Sequence, residues 1–123
     1  MAKRVILHLD MDAFFAAVEL QRHPEYADKP LVVGGRGNPQ ERGVVSTASY
    51  EARQYGIHSA MPLREAYRRC PEAIFLPVDY RAYTEASEKV MTILQGFSPL
   101  VEIIGLDEAF LDITDSPLGE PLE

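Results

Sequence analysis

Two acidic sites in this 123-residue chain have the residue types and the spacing to do chemistry. The first is Asp10, which ends the apolar run Val5-Ile6-Leu7-His8-Leu9 and is followed by Asp12. The second is Asp107-Glu108, directly after Ile103-Ile104-Gly105-Leu106. A carboxylate at a strand end, beside a helix N-terminus, can offer oxygen ligands to a divalent cation or sit near a phosphate held by backbone N–H groups. Each site also has a plainer reading. Asp12 can cap a helix, Asp10 can be a solvated strand end, and Asp107-Glu108 can be two polar turn residues. The sites become more than that if their strands lie side by side. Three carboxylates then share one sheet edge, and a pair of Mg2+ ions would relieve their repulsion and supply the machinery of phosphoryl transfer.

The elements that must position these groups can be read from hydrophobic period. Val5, Leu7 and Leu9 alternate with Ile6, His8 and Asp10, which predicts a strand with Asp10 on the face away from the leucines. Asp12 is expected to cap a helix running through Phe14, Phe15, Val18 and Leu20 and stopping near His23-Pro24. Residues 31–33 and 44–47 predict the strands of a hairpin around GRGNPQERG. A short helix is expected from Tyr50 to Gly56, and another opening at Pro62 and stopping before Pro71. Residues 74–78 read as an edge strand because of Pro77. The clearest helix spans 79–97, with Tyr83, Ala86, Val90, Ile93, Leu94 and Phe97 on one stripe. Residues 101–106 and 109–114 predict a hairpin turning at Asp107-Glu108, and DSPLGEPLE reads as a frayed end. Strands near positions 5, 75, 101 and 109, crossed by the long helix, are expected to form one sheet. That is an α+β fold into which residues 11–73 are inserted.

Composition bounds the function classes. A hydrophobic share of 46% with 25% charged residues is that of an ordinary globular chain. No apolar run is long enough for a membrane span, and MAKRVILHLD breaks on His8 and Asp10 too early for a secretory signal, so a cytoplasmic location is expected. A lone cysteine, Cys70, excludes an internal disulfide and a cysteine metal site, and reads as a buried helix-end residue. The net charge of -7 looks wrong for a nucleic-acid binder, but it is uneven. Residues 1–76 hold ten Lys and Arg against nine Asp and Glu; residues 77–123 hold two against ten. Acidity confined to one end fits a solvated face, a cation site, or a piece of a larger molecule with its basic partner elsewhere.

The blocks HLDMDAFFAAVE, KPLVVGG, GVVSTASYEAR, GIHSAMPLREA, CPEAIFLPVDYRAYTEAS and LDEAFLDITD stand in an order and at a spacing that resemble the Y-family DNA polymerases, most closely the bacterial DNA polymerase IV branch. The resemblance covers almost the whole chain. It implies a partial polymerase palm, residues 1–10 and 74–123, built as an antiparallel-type sheet with a long helix, and an inserted small α/β fingers subdomain, residues 11–73. The implied activity is template-directed, error-prone translesion synthesis, in which a primer 3'-hydroxyl attacks the α-phosphate of a deoxynucleotide and pyrophosphate leaves. Asp10, Asp107 and Glu108 match the catalytic carboxylates that bind two Mg2+ ions, for which Mn2+ can substitute, with the Met11 carbonyl as a further ligand.

Phe15 matches the steric gate that excludes a 2'-hydroxyl, and Phe14 stands at the helix start where backbone N–H groups can face the triphosphate. On periodicity alone both rings read as core. Thr47, Tyr50 and Arg53 match the triphosphate contacts; at spacings of three, their donors would share a helical face, and Arg forks onto phosphate oxygens. Gly34, Gly35, Val44 and Ser46 resemble the small residues that roof the nascent base pair and leave room for distorted bases.

The implied partners are primer-template DNA and dNTP, with a sliding clamp engaged through regions outside this chain, and no membrane. Gly105 departs from the serine common in relatives, and Ala13 from a bulkier residue. Family members continue through the rest of the palm, a thumb and a little finger, so the chain is expected to be a fragment that does not extend a primer alone. Two further readings stay open. A nucleotidyl cyclase on a related palm would lack the STASYEAR block, and a non-catalytic nucleotide-binding or interaction module would share only the fold.

Overall fold

The computed structural model describes residues 3–115, so the expected fraying of DSPLGEPLE lies, from residue 116 onward, outside the described residues. In chain order the elements are β1 (Ile6–Asp10), α1 (Phe14–Arg22), a 3-10 turn (Pro24–Tyr26), β2 (Leu31–Gly34), β3 (Val45–Ala48), α2 (Tyr50–Arg53), α3 (Leu63–Arg69), β4 (Ile74–Leu76), α4 (Tyr80–Gln95), β5 (Val101–Gly105) and β6 (Glu108–Asp112). They form two compact units, Met1–Asp12 with Arg81–Glu123, and Ala13–Tyr80. The class is α+β, as expected, with a three-stranded sheet in each unit. No helix among the described residues is long and apolar enough to cross a membrane.

The first unit holds an antiparallel sheet in the order β1-β6-β5. Its register puts Leu7 opposite Leu111 and Leu9 opposite Ala109, and Ala109 and Leu111 are fully buried. Strand alternation therefore sends Ile6, His8 and Asp10 to the other face, together with Glu108, Phe110 and Asp112. The hairpin turns at Leu106-Asp107, one residue earlier than expected, so Glu108 is the first residue of β6. α4 buries Tyr83, Ser87 and Met91, a line rotated from the expected stripe. Val90 and Leu94 are half-buried, while Ile93 and Phe97 lie exposed. The physical reason is a polar contact inside the packed face: the Ser87 hydroxyl donates to the carbonyl of Leu106, which hydrophobic spacing cannot foresee.

The second unit is a mixed sheet in the order β3-β2-β4. Here the expected topology is corrected. β4 was expected beside the strands near residues 5, 101 and 109, but it runs parallel to β2, with Leu31, Val32 and Val33 opposite Ile74, Phe75 and Leu76. All four residues of β2 are buried, and a buried strand needs both edges paired. β3 satisfies one edge and β4 the other, so residues 74–80 group with the second unit and not, as expected, with the first. Pro77 does lie just past an edge strand.

Ser49 ties this unit together. Its hydroxyl oxygen accepts from the N–H of Leu31 at 2.9 Å and, as the N-cap of α2, from the N–H of Ala52 at 3.3 Å. Val32, Val45, Ala48, Ala52, Ile57 and Leu63 form its core. Cys70, buried in that core, closes α3, where burial and then the neighbouring Glu72 carboxylate push its thiol up.

The start of α1 also differs from expectation. Its N-cap residue is Ala13, in the left-handed region at φ 49° and ψ 44° with no side-chain cap, rather than Asp12. A non-glycine residue held there is strained. At the other end of β2, a Cβ on Gly34 would lie 2.4 Å from the Val44 carbonyl oxygen and 3.1 Å from the Val45 Cα. Both are backbone atoms that cannot swing aside. Gly34→Ala is therefore expected to cost about 2 kcal/mol or more, seen as a lower urea midpoint with an unchanged slope; wild-type stability would mean that the β2–β3 bulge relaxes freely.

Candidate active site

The carboxylate edge of the first unit is built by backbone pairing. Asp10, the last residue of β1, stands directly opposite Glu108, the first of β6, and Gly105 of β5 stands opposite Glu108 on the other side. The two acidic sites, nearly a hundred positions apart in sequence, thus occupy one end of one sheet. Asp107 precedes Glu108 in a turn anchored at two points. The Met11 N–H donates to the Asp107 carbonyl at 2.8 Å, and the Ser87 hydroxyl holds the neighbouring Leu106 carbonyl. Asp10 is exposed, and Asp107 and Glu108 are half-buried. One Glu108 oxygen, Oε1, lies 2.8 Å from Nε2 of His8, whose ring stacks on Phe110 with centroids 4.5 Å apart.

In kind, three hard-oxygen carboxylates at one sheet end suit Mg2+ or Mn2+. They are not drawn into a closed cage. Among the described residues no three His, Cys, Asp or Glu side chains are grouped to hold an ion. One Glu108 oxygen is engaged by His8. The backbone brings the donors to one edge of the sheet.

The second unit carries the remaining expected groups. Phe14 is buried, and Phe15 is half-buried with its ring 6.0 Å from that of Tyr80 in an edge-on arrangement. Thr47 lies in β3 opposite Val33, not on a helix with its partners, so the expected single helical face is reduced to Tyr50 and Arg53 on α2. Arg53 is oriented locally: its Nε donates to the Ala48 carbonyl at 3.0 Å, and its guanidinium carbon sits 5.2 Å from the centre of the Tyr50 ring. Tyr50 itself is 59% exposed. Ser46 is half-buried in β3, and Val44, expected inside a strand, makes only an isolated bridge to Pro62 and is exposed. Gly34 and Gly35 have structural reasons of their own to be glycine, close approach in the first case and a φ of +50° in the second.

Five residues were not singled out from sequence. His8 shares its face with Asp10 and was detectable from alternation alone. Ser87, Tyr80 and the pair formed by buried Glu19 with Arg22, 2.9 Å apart, left no signal beyond residue type.

Residues 9–121 match the impB/mucB/samB family. The chain is 54% identical over 114 residues to DNA polymerase IV of Dehalococcoides mccartyi, covering 93% of this chain and 29% of that protein. It is 53% identical over 123 residues to DNA polymerase IV 2 of Mycobacterium tuberculosis, covering 99% of this chain and 36% of the relative. Among solved structures, DinB from Sulfolobus solfataricus superposes with a TM-score of 0.86 at 36% identity, over 94% of this chain and 33% of that one. The insertion ternary complex of Dbh DNA polymerase superposes at 0.85, with 36% identity over 94% of this chain and 34% of that one. The chain spans about a third of the length of the curated relatives it matches.

The Ser87 contact makes a separable test of how the edge is built. Ser87→Ala leaves the Leu106 carbonyl without this donor and is expected to cost about 1–3 kcal/mol of stability, with faster hydrogen exchange at the Met11 amide. An unchanged Met11 amide would show that the turn holds without α4.

Proposed function

The chain belongs to the impB/mucB/samB family, and we propose from that premise that it is the fingers and first palm portion of a translesion DNA polymerase. In this reading the first unit is the palm portion and the second unit the fingers. The reaction is transfer of a deoxynucleoside monophosphate from dNTP to a primer 3'-hydroxyl opposite a template base, with release of pyrophosphate. One observation carries the reading: Asp10 and Glu108 face each other across adjacent strands, with Asp107 on the turn tied to Met11.

Asp10, Asp107, Glu108 and the Met11 carbonyl would hold two Mg2+ ions, or Mn2+ in their place. Such ions, when bound, stabilise charge growing on phosphate oxygens and favour the ionised form of an attacking hydroxyl. The chain's own residues then bind and orient. Arg53, braced by Ala48 and Tyr50, directs its guanidinium to triphosphate oxygens, where a fork forms paired charge-assisted bonds. The Tyr50 and Thr47 hydroxyls add donors. Phe14 buries its ring and fixes the first turn of α1, so that the backbone there can approach the phosphates.

Phe15, supported edge-on by Tyr80, is the steric gate against a 2'-hydroxyl. Gly34, Gly35, Val44 and Ser46 form the low roof over the nascent base pair. Primer-template DNA is the macromolecular partner. The isolated chain, spanning about a third of its relatives, is proposed not to extend a primer by itself.

Two measurements test this in the longer polypeptide that carries the chain. Asp107→Ala should slow primer extension by about a thousandfold or more, because several kcal/mol of transition-state stabilisation are removed; extension at wild-type rate would dismiss the carboxylate edge as the centre of reaction. Phe15→Ala should raise ribonucleotide incorporation relative to deoxynucleotide by about a hundredfold while leaving dNTP use largely intact. Unaltered sugar discrimination would place the gate elsewhere.

A further inference from the structure

Resting on the reading of Asp10, Asp107 and Glu108 as cation ligands, we propose that His8 is a positioning residue that presents the Glu108 carboxylate to the cation. His8 lies two residues before Asp10 on β1 and so projects from the same face, and the register sets it diagonally across from Glu108, opposite Phe110. Two contacts fix its ring. Nε2 is 2.8 Å from Glu108 Oε1, and the imidazole stacks on Phe110 at 4.5 Å with 17° between planes.

Acting as an N–H donor, His8 occupies one lone pair of one carboxylate oxygen. Oε2 is left for a cation, and so is the second lone pair of Oε1. The two side chains are 45% and 35% exposed, so water screens the pair and its contribution to global stability is small. What it supplies is orientation. A glutamate side chain has several rotatable bonds, and a carboxylate with one oxygen already held loses less freedom when it binds. Groups that hydrogen-bond a ligating carboxylate commonly set metal affinity in this way, and their removal weakens binding by about 10–100-fold.

The test measures Mn2+ binding, by the loss of the free-ion electron paramagnetic resonance signal, in the longer polypeptide that carries this chain. His8→Ala should weaken binding by about tenfold. His8→Phe, which keeps a ring on Phe110 but has no donor, should weaken it equally while leaving the unfolding midpoint near wild type; this variant carries the test should the alanine form fold poorly. His8→Gln, which restores a donor, should recover most of the affinity. In primer extension the loss should appear in kcat, with KM for dNTP unchanged. Wild-type Mn2+ affinity in His8→Phe overturns the role of His8. If Asp10→Asn also leaves Mn2+ binding intact, the carboxylate edge itself is misread, which is a distinct result from failure of His8 alone.

Discussion

Carboxylates do not assemble themselves. Three of them at one end of a small sheet repel one another, so the backbone has to do the placing, and the rest of the first unit follows from that constraint. The antiparallel register of β1 with β6 sets Asp10 against Glu108 through ladder hydrogen bonds that involve no side chain. A peptide hydrogen bond from Met11 and a serine hydroxyl from α4 pin the turn that carries Asp107. Each such bond contributes only about 1 kcal/mol, but all act on a two-residue turn. Their combined effect is geometric: they keep the backbone of the acidic edge in place whatever the side chains do.

The second unit solves a different problem. Its order comes from close approach. β2 is buried along its length, flanked on one edge by an antiparallel strand and on the other by a parallel one. The absence of a side chain at Gly34 lets the Val44 carbonyl reach the strand, and Ser49 closes the corner by accepting from two backbone amides. The proposed roof over a base pair would thus be small for two reasons at once, the packing of the sheet and the clearance for a nucleotide. Arg53, in turn, is aimed by its own local frame, a backbone carbonyl on one side and a tyrosine ring on the other.

Much of this was legible before folding. Alternation along residues 5–10 placed Asp10 on the face away from Leu7 and Leu9, and the register agrees because a period of two leaves each side chain only two directions. The hairpin of β5 and β6, the long helix and the buried end of α3 at Cys70 are local patterns, and they were read within a residue or two. The errors were those of partner choice. Ile74 to Leu76 looks like a strand in isolation, but nothing in three apolar residues says which edge they will complete; the demand came from β2, forty positions earlier. On α4, Ser87 displaced the expected apolar stripe because a hydroxyl can face inward where a carbonyl awaits it. At the start of α1, capping preference nominated Asp12, and the chain instead turned through a left-handed alanine.

The residue types at the proposed site, and the strands and helices that carry them, were therefore determined by sequence alone, since charge, side-chain chemistry and hydrophobic period are local properties. Which strands pair, which acid faces which, and the contact between His8 and Glu108 were decided by tertiary structure. Those relations depend on groups from distant segments competing for the same hydrogen-bonding edges and the same buried space. That competition has no outcome until the chain has closed on itself.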